Sequence, residues 1–129
     1  MTIVLDAWAV IELLRGGAPG QHVRRLLEEE VGVMSSINLG EVHYALIRTH
    51  GEQVADGGVE GVRQAIRVED PDWPLVRSAA RIKARGGLSY ADAFCLATAR
   101  KHGAAVVTGD PEILVASGQD EAIDLRSVG

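Results

Sequence analysis

Thr2-Ile3-Val4-Leu5-Asp6 opens the chain with three β-branched residues and a leucine in unbroken succession, followed at once by a carboxylate. An apolar run without polar alternation suits a strand buried on both faces, as in a parallel sheet. Outward from it the pattern recurs. Val31-Gly32-Val33-Met34 reads as a second strand, Ala65 to Val68 as a third, Ala104 to Thr108 as a fourth, and Ala122 to Leu125 as an edge strand. Between them lie helical stretches: Ala7 to Leu14, Pro19 to Glu30, Ser35 to Arg48, Trp73 to Arg85 and Ser89 to His102, with a short helix started by Asp110-Pro111. Glycines close several of these, and Pro19 sits at a first turn, where its missing N–H costs nothing. Residues 51–61 hold four glycines and carry the weakest signal, with a short helix expected from Val59. Strands alternating with helices imply an α/β fold, a three-layer α/β/α sandwich on a mainly parallel sheet. Ligands of such sheets sit beyond the carboxyl ends of the strands, which directs attention to the residues just after each strand.

At 129 residues, the chain is expected to form a single domain spanning 1–129. Hydrophobic residues at 47% are enough for a core, while aromatics at 4% argue against a base-stacking sheet. One cysteine allows neither an internal disulfide nor a thiolate zinc site. No apolar run is long enough to span a bilayer and the N-terminus lacks a basic start, so a soluble, cytoplasmic protein is expected. The net charge of −5 is unevenly distributed: −6 over residues 1–72, +5 over 73–105 and −4 over 106–129.

Four carboxylates stand in otherwise uncharged surroundings. Asp6 is the only charged side chain from Met1 to Ile11, Glu41 the only one from Val31 to Ile47, and Asp92 the only one from Gly86 to Ala99; Asp110 follows the strand ending in Thr108. Each alone fits a helix cap. Ser89 to Asp92 and Asn38 to Glu41 have capping-box spacing, Asp110-Pro111 resembles an N-cap with its proline, and Asp6 can cap the first helix. Capping does not explain why all four lie in uncharged stretches. Asp6 and Asp110 follow strands, and Glu41 and Asp92 lie in first turns of helices that can begin at the same sheet edge. If they converge, a cation follows from electrostatics, because two like charges 5 Å apart repel by roughly 3 kcal/mol at an effective dielectric of 20. An all-oxygen site suits Mg²⁺ or Mn²⁺, which can activate water and polarise a phosphodiester.

Ile3-Val-Leu-Asp6, Ser36-Ile-Asn-Leu-Gly-Glu41, Leu88-Ser-Tyr-Ala-Asp92-Ala-Phe and Val107-Thr-Gly-Asp110-Pro, in this order, resemble the motifs of the PIN-domain ribonucleases, more narrowly the VapC-type toxins of toxin–antitoxin pairs. The resemblance implies an endoribonuclease with Mg²⁺ or Mn²⁺ held chiefly by Asp6 and Asp92, and Glu41 and Asp110 completing the catalytic cluster directly or through water. It places Thr108 and Asn38 where ligands or water are oriented, and implies RNA as substrate, a homodimer, and an antitoxin as partner. One departure is Ala7, where many members carry Ser or Thr after the first Asp. Trp8 is expected to pack on the sheet or at a dimer interface. The alternative function is a catalytically silent module of the same fold that binds protein. A doubly wound phosphatase would need an Asp-x-Asp pattern, which Asp6-Ala7-Trp8 lacks.

The four histidines show no ligand spacing, and Cys95 reads as core. Arg81, Lys83 and Arg85 can either hold RNA phosphates or form a solvated face; Arg100 and Lys101 suit a helix C-terminus.

Overall fold

The computed structural model describes residues 1–118 and 120–127. Five strands, β1 (Thr2–Leu5), β2 (Val31–Ser35), β3 (Arg67–Glu69), β4 (Ala105–Thr108) and β5 (Ala122–Asp124), form one sheet in the order β3-β2-β1-β4-β5. Every pairing is parallel. The helices are α1 (Ala7–Arg15), α2 (Ala18–Glu29), α3 (Ser36–His50), α4 (Glu52–Ala65), α5 (Trp73–Ala84), α6 (Tyr90–His102) and α7 (Pro111–Ala116).

The central strands show why their runs carry no polar alternation. Val4, Val33 and Val106 point to one side, into a core shared with α5, α6 and Ile113 of α7. Ile3, Leu5, Met34 and Val107 point to the other, into a core shared with α1, α2, α3 and α4. Successive residues of a strand alternate faces, so a strand covered on both sides must be apolar throughout. The expected α/β/α sandwich is therefore observed.

Two readings are corrected. The glycine-rich stretch is helical from Glu52, not from Val59: α4 spans 14 residues. Packing is the reason. Ala55, Val62 and Ile66 are buried and Val59 is partly buried, a helical spacing that seats α4 on its neighbours and outweighs the glycine cost. The third strand consequently starts at Arg67, because Ala65 still belongs to the helix and Ile66 caps it.

Trp8 packs among the residues of the α1–α4 core, with its ring over Gly109. A Cβ at Gly109 would lie 2.5 Å from the indole, so only glycine fits the turn between β4 and α7. Among the described residues, no helix is long and apolar enough to cross a membrane.

Candidate functional site

The strand order reverses direction between β1 and β4, the point at which an open parallel sheet forms a crevice at its carboxyl edge. Asp6 leaves β1 there, and Thr108 and Asp110 leave β4 beside it. Asp6 is the N-cap of α1, its Oδ1 accepting from the Ala9 N–H at 2.8 Å. Its Oδ2 accepts from the Thr108 hydroxyl, and Thr108 Oγ1 in turn accepts from the Asp110 N–H at 2.9 Å. Asp110 caps α7 through the Glu112 N–H at 2.8 Å. Asp6 and Asp110 are thus both caps and members of the cluster, so the two readings of these acids are compatible.

Asp92 sits in the first turn of α6, whose N-cap is Ser89 as the spacing suggested; the Ser89 hydroxyl accepts from the Asp92 N–H at 3.1 Å. Glu41 differs from expectation. Ser35, not Asn38, caps α3, and its hydroxyl accepts from the Ile37 N–H at 3.2 Å. The helix therefore starts earlier, and Glu41 falls in the second turn. Asn38 instead donates through Nδ2 to Glu41 Oε1 and to the carbonyl of Ala91, both at 2.9 Å. That fully buried amide ties Glu41 to the segment carrying Asp92.

The titration behaviour records the convergence. Burial pushes Asp6 up to about 7; hydrogen bonds from Thr108 and Ala9 oppose this, and the charges of Asp92 and Asp110 add to it. Burial and then the Asp110 charge push Asp92 up to about 6, with Glu41 and Glu112 contributing. Glu41 is raised by burial, against its bond from Asn38, and by Asp110. Below the cluster, burial and then the charges of Asp6, Asp92, Glu41 and Asp110 push the Cys95 thiol up, which leaves it a protonated core residue. Asp6, Glu41 and Asp92 therefore each feel the charge of Asp110, and Asp92 also couples to Asp6 and Glu41.

Glu112 is a fifth member that the sequence reading missed. Asp92, Asp110 and Glu112 each present a carboxylate oxygen within 4.8 Å of the other two. Glu112 is exposed and follows a proline, so nothing marked it as unusual; its position two residues beyond Asp110 at a helix start was the available signal. Oxygen donors alone, with Asp6, Glu41 and Asp92 raised by burial and by neighbouring carboxylates, fit a hard divalent ion. No histidine joins them: His43 pairs with Asp56 at 2.9 Å and His102 with Glu69 at 2.7 Å.

Comparison with known proteins agrees with this fold. The family model described as PIN domain matches residues 3–118. No curated protein matches significantly. Among solved structures, Mycobacterium tuberculosis VapC20, described as a sarcin-ricin loop cleaving toxin, aligns with a TM-score of 0.74 at 25% identity over 92% of this chain and 97% of its own. A chain of the DNA-bound VapBC of Salmonella typhimurium aligns at 0.77 and 21% identity, over 97% of this chain and 98% of its own. A chain of VapBC-1 from nontypeable Haemophilus influenzae aligns at 0.76 and 17% identity, over 98% and 100% respectively. The last two similarities concern the fold alone.

Proposed function

Because the chain belongs to the PIN domain family, we propose that it is a Mg²⁺- or Mn²⁺-dependent endoribonuclease, the toxin of a type II toxin–antitoxin pair, restrained by a cognate antitoxin. The observation that carries the reading is the gathering of Asp6, Glu41, Asp92 and Asp110 at the switch point of the sheet. The structural relatives include a chain described as a sarcin-ricin loop cleaving toxin, which supports the nuclease reading, and chains from VapBC assemblies, whose likeness is one of fold and from which the antitoxin partner is carried over as part of the proposal.

In this reading Asp6, Asp92 and Asp110 would hold the metal, Glu112 offers a further oxygen beside Asp92 and Asp110, and Glu41 completes the catalytic group. A bound divalent ion supplies charge neutralisation and Lewis acidity toward a phosphodiester. The chain's own residues supply position. Thr108 fixes the carboxylate plane of Asp6 and holds the backbone of Asp110 against it. Asn38 holds Glu41 Oε1, and Oε2 makes no hydrogen bond among the described residues, so it can take a proton from the attacking water. The raised pKa of Glu41 suits proton acceptance near neutral pH better than an ordinary carboxylate would.

The test is cleavage of end-labelled RNA by EDTA-stripped protein with Mn²⁺ added back. Wild type should cleave only with the metal. Asp92→Asn should lose at least about 100-fold of the rate with unchanged circular dichroism, in line with removal of a charged catalytic group. Cleavage indifferent to EDTA, or retained in Asp92→Asn, would defeat the proposal; absence of any cleavage would favour a protein-binding module.

A further inference from the structure

The basic segment of this acidic protein is not spread evenly over its surface. Helices α5 and α6 are joined by a short turn and pack closely as an antiparallel pair. Between them opens a cavity of about 470 Å³ bordered by four cations, Arg81, Arg85, Arg100 and Lys101, and one acid, Asp72. Ile82 and Ala97 lie beneath. The cations are not equivalent. Arg100 is held by Glu121 at 2.9 Å, and Lys101 lies 4.0 Å from Glu69. Lys83, the neighbour in sequence, turns away to donate to the Leu88 carbonyl at 2.8 Å and braces the turn. The side chains of Arg81 and Arg85 are exposed and make no ion pair or hydrogen bond among the described residues. Two guanidinium groups are therefore left available beside two cations already engaged by acids.

One end of the groove is tied through the chain to the helix that carries Asp92. Arg85 is the C-cap of α5 and is joined through residues 86–88 to Ser89, the N-cap of α6, while Arg100 lies eight residues beyond Asp92, about 12 Å along α6. We propose that the α5–α6 groove binds the sugar-phosphate backbone of the RNA flanking the scissile bond, with Arg81 and Arg85 as its principal phosphate ligands; this rests on the nuclease reading above. Guanidinium groups favour phosphate because their planar forks donate in pairs. An acidic polypeptide is the competing occupant. RNA is favoured because Arg85 is joined by one short turn to the start of the helix that carries Asp92, where a phosphodiester is to be cut.

The experiment measures binding of a fluorescein-labelled uridine 15-mer in EDTA, at several salt concentrations, and its cleavage in Mn²⁺. Arg81→Ala/Arg85→Ala should weaken binding roughly tenfold and lower the slope of log K against log salt by about 1.4, the value for two single-strand phosphate contacts. KM should rise with kcat within about twofold, since the reacting atoms are untouched. Arg81→Lys/Arg85→Lys should restore most of the affinity. Arg24→Ala/Arg25→Ala, on α2 across the sheet, removes the same charge and should leave the slope unchanged. Wild type that cleaves RNA while the Arg81/Arg85 variant binds with the wild-type slope would overturn this inference and leave the nuclease reading standing. Wild type that cleaves no RNA would overturn both. Displacement of the RNA by polyglutamate as effectively as by unlabelled RNA of equal charge would assign the groove to an acidic polypeptide instead.

Discussion

Asp6 holds together three features that usually belong to different residues. It caps α1, it takes the Thr108 hydroxyl, and it is nearly fully buried beside other carboxylates. Burial raises its pKa from 3.8 to about 7, so the metal-free folded state binds a proton more tightly than the unfolded chain between those values. The Asp6 contribution to the stability of the metal-free protein is therefore greatest below about pH 4, falls as pH rises toward 7, and is level above it. Asp92 adds a decline of the same sign up to about pH 6. The Asp6 contribution alone is on the order of 4 kcal/mol across the window. Urea midpoints in EDTA should be lower at pH 8 than at pH 5, and an equal or higher midpoint at pH 8 would refute this. Asp6→Asn retains an N-capping side chain and removes the buried charge, so it should raise metal-free stability at pH 8 by about 1–3 kcal/mol while abolishing the response to Mn²⁺. The sequence revealed Asp6, Glu41 and Asp92 because each is the sole charge in a long uncharged stretch. Glu112 was marked only by its place two residues beyond Asp110, because its membership depends on how α7 turns an exposed side chain back toward Asp92.

Glycine has opposite meanings in two helices. In α4, a Cβ built on Gly57 or Gly61 meets nothing within 4 Å, so neither glycine is required by packing. Each should gain about 0.5–1 kcal/mol on replacement by alanine, through helix propensity and a less flexible unfolded chain. In α2, a Cβ on Gly20 would stand 2.1 Å from the carbonyl oxygen of Glu12 in α1, and backbone cannot yield as a side chain can. Gly20→Ala should therefore cost roughly 1–3 kcal/mol by overpacking. Thermal melts of the three variants decide the matter, and a Gly61→Ala protein that melts below wild type would count against it. The same glycines explain why α4 was hard to read. Its helical signal is the buried series Ala55, Val59, Val62 and Ile66, interleaved with residues of low propensity, so only the tertiary contact with α3 discloses it. Strands β1, β2 and β4 had no such conflict, because burial on both faces writes itself directly into an apolar run.

The molecule as a whole brings residues 6, 41, 92 and 110 together through strand order, which periodicity does not encode. Apolar runs separated by helices dictate parallel pairing, yet many orders of five strands satisfy them; the crevice exists because β1 and β4 are neighbours whose connections run to opposite sides. Folding thus forces several like charges into one partly buried edge, and the cost appears as raised pKa values in Asp6, Glu41 and Asp92. A cation bound only by the folded state reverses that cost and must stabilise the fold by mass action. At a free Mn²⁺ concentration 100 times Kd the gain is about 2.7 kcal/mol, which for a chain of this size is roughly 8–13 °C in Tm. Because the ion needs ionised carboxylates, the gain should be larger at pH 7.5 than at pH 5.5, opposite in sign to the pH dependence of the metal-free protein. Asp92→Asn should remove most of the shift at both pH values, whereas Arg81→Ala/Arg85→Ala, on the groove between α5 and α6, should keep it. Equal shifts in wild type and Asp92→Asn would mean that the ion binds elsewhere, and the carboxylate edge would then have no electrostatic reason to exist.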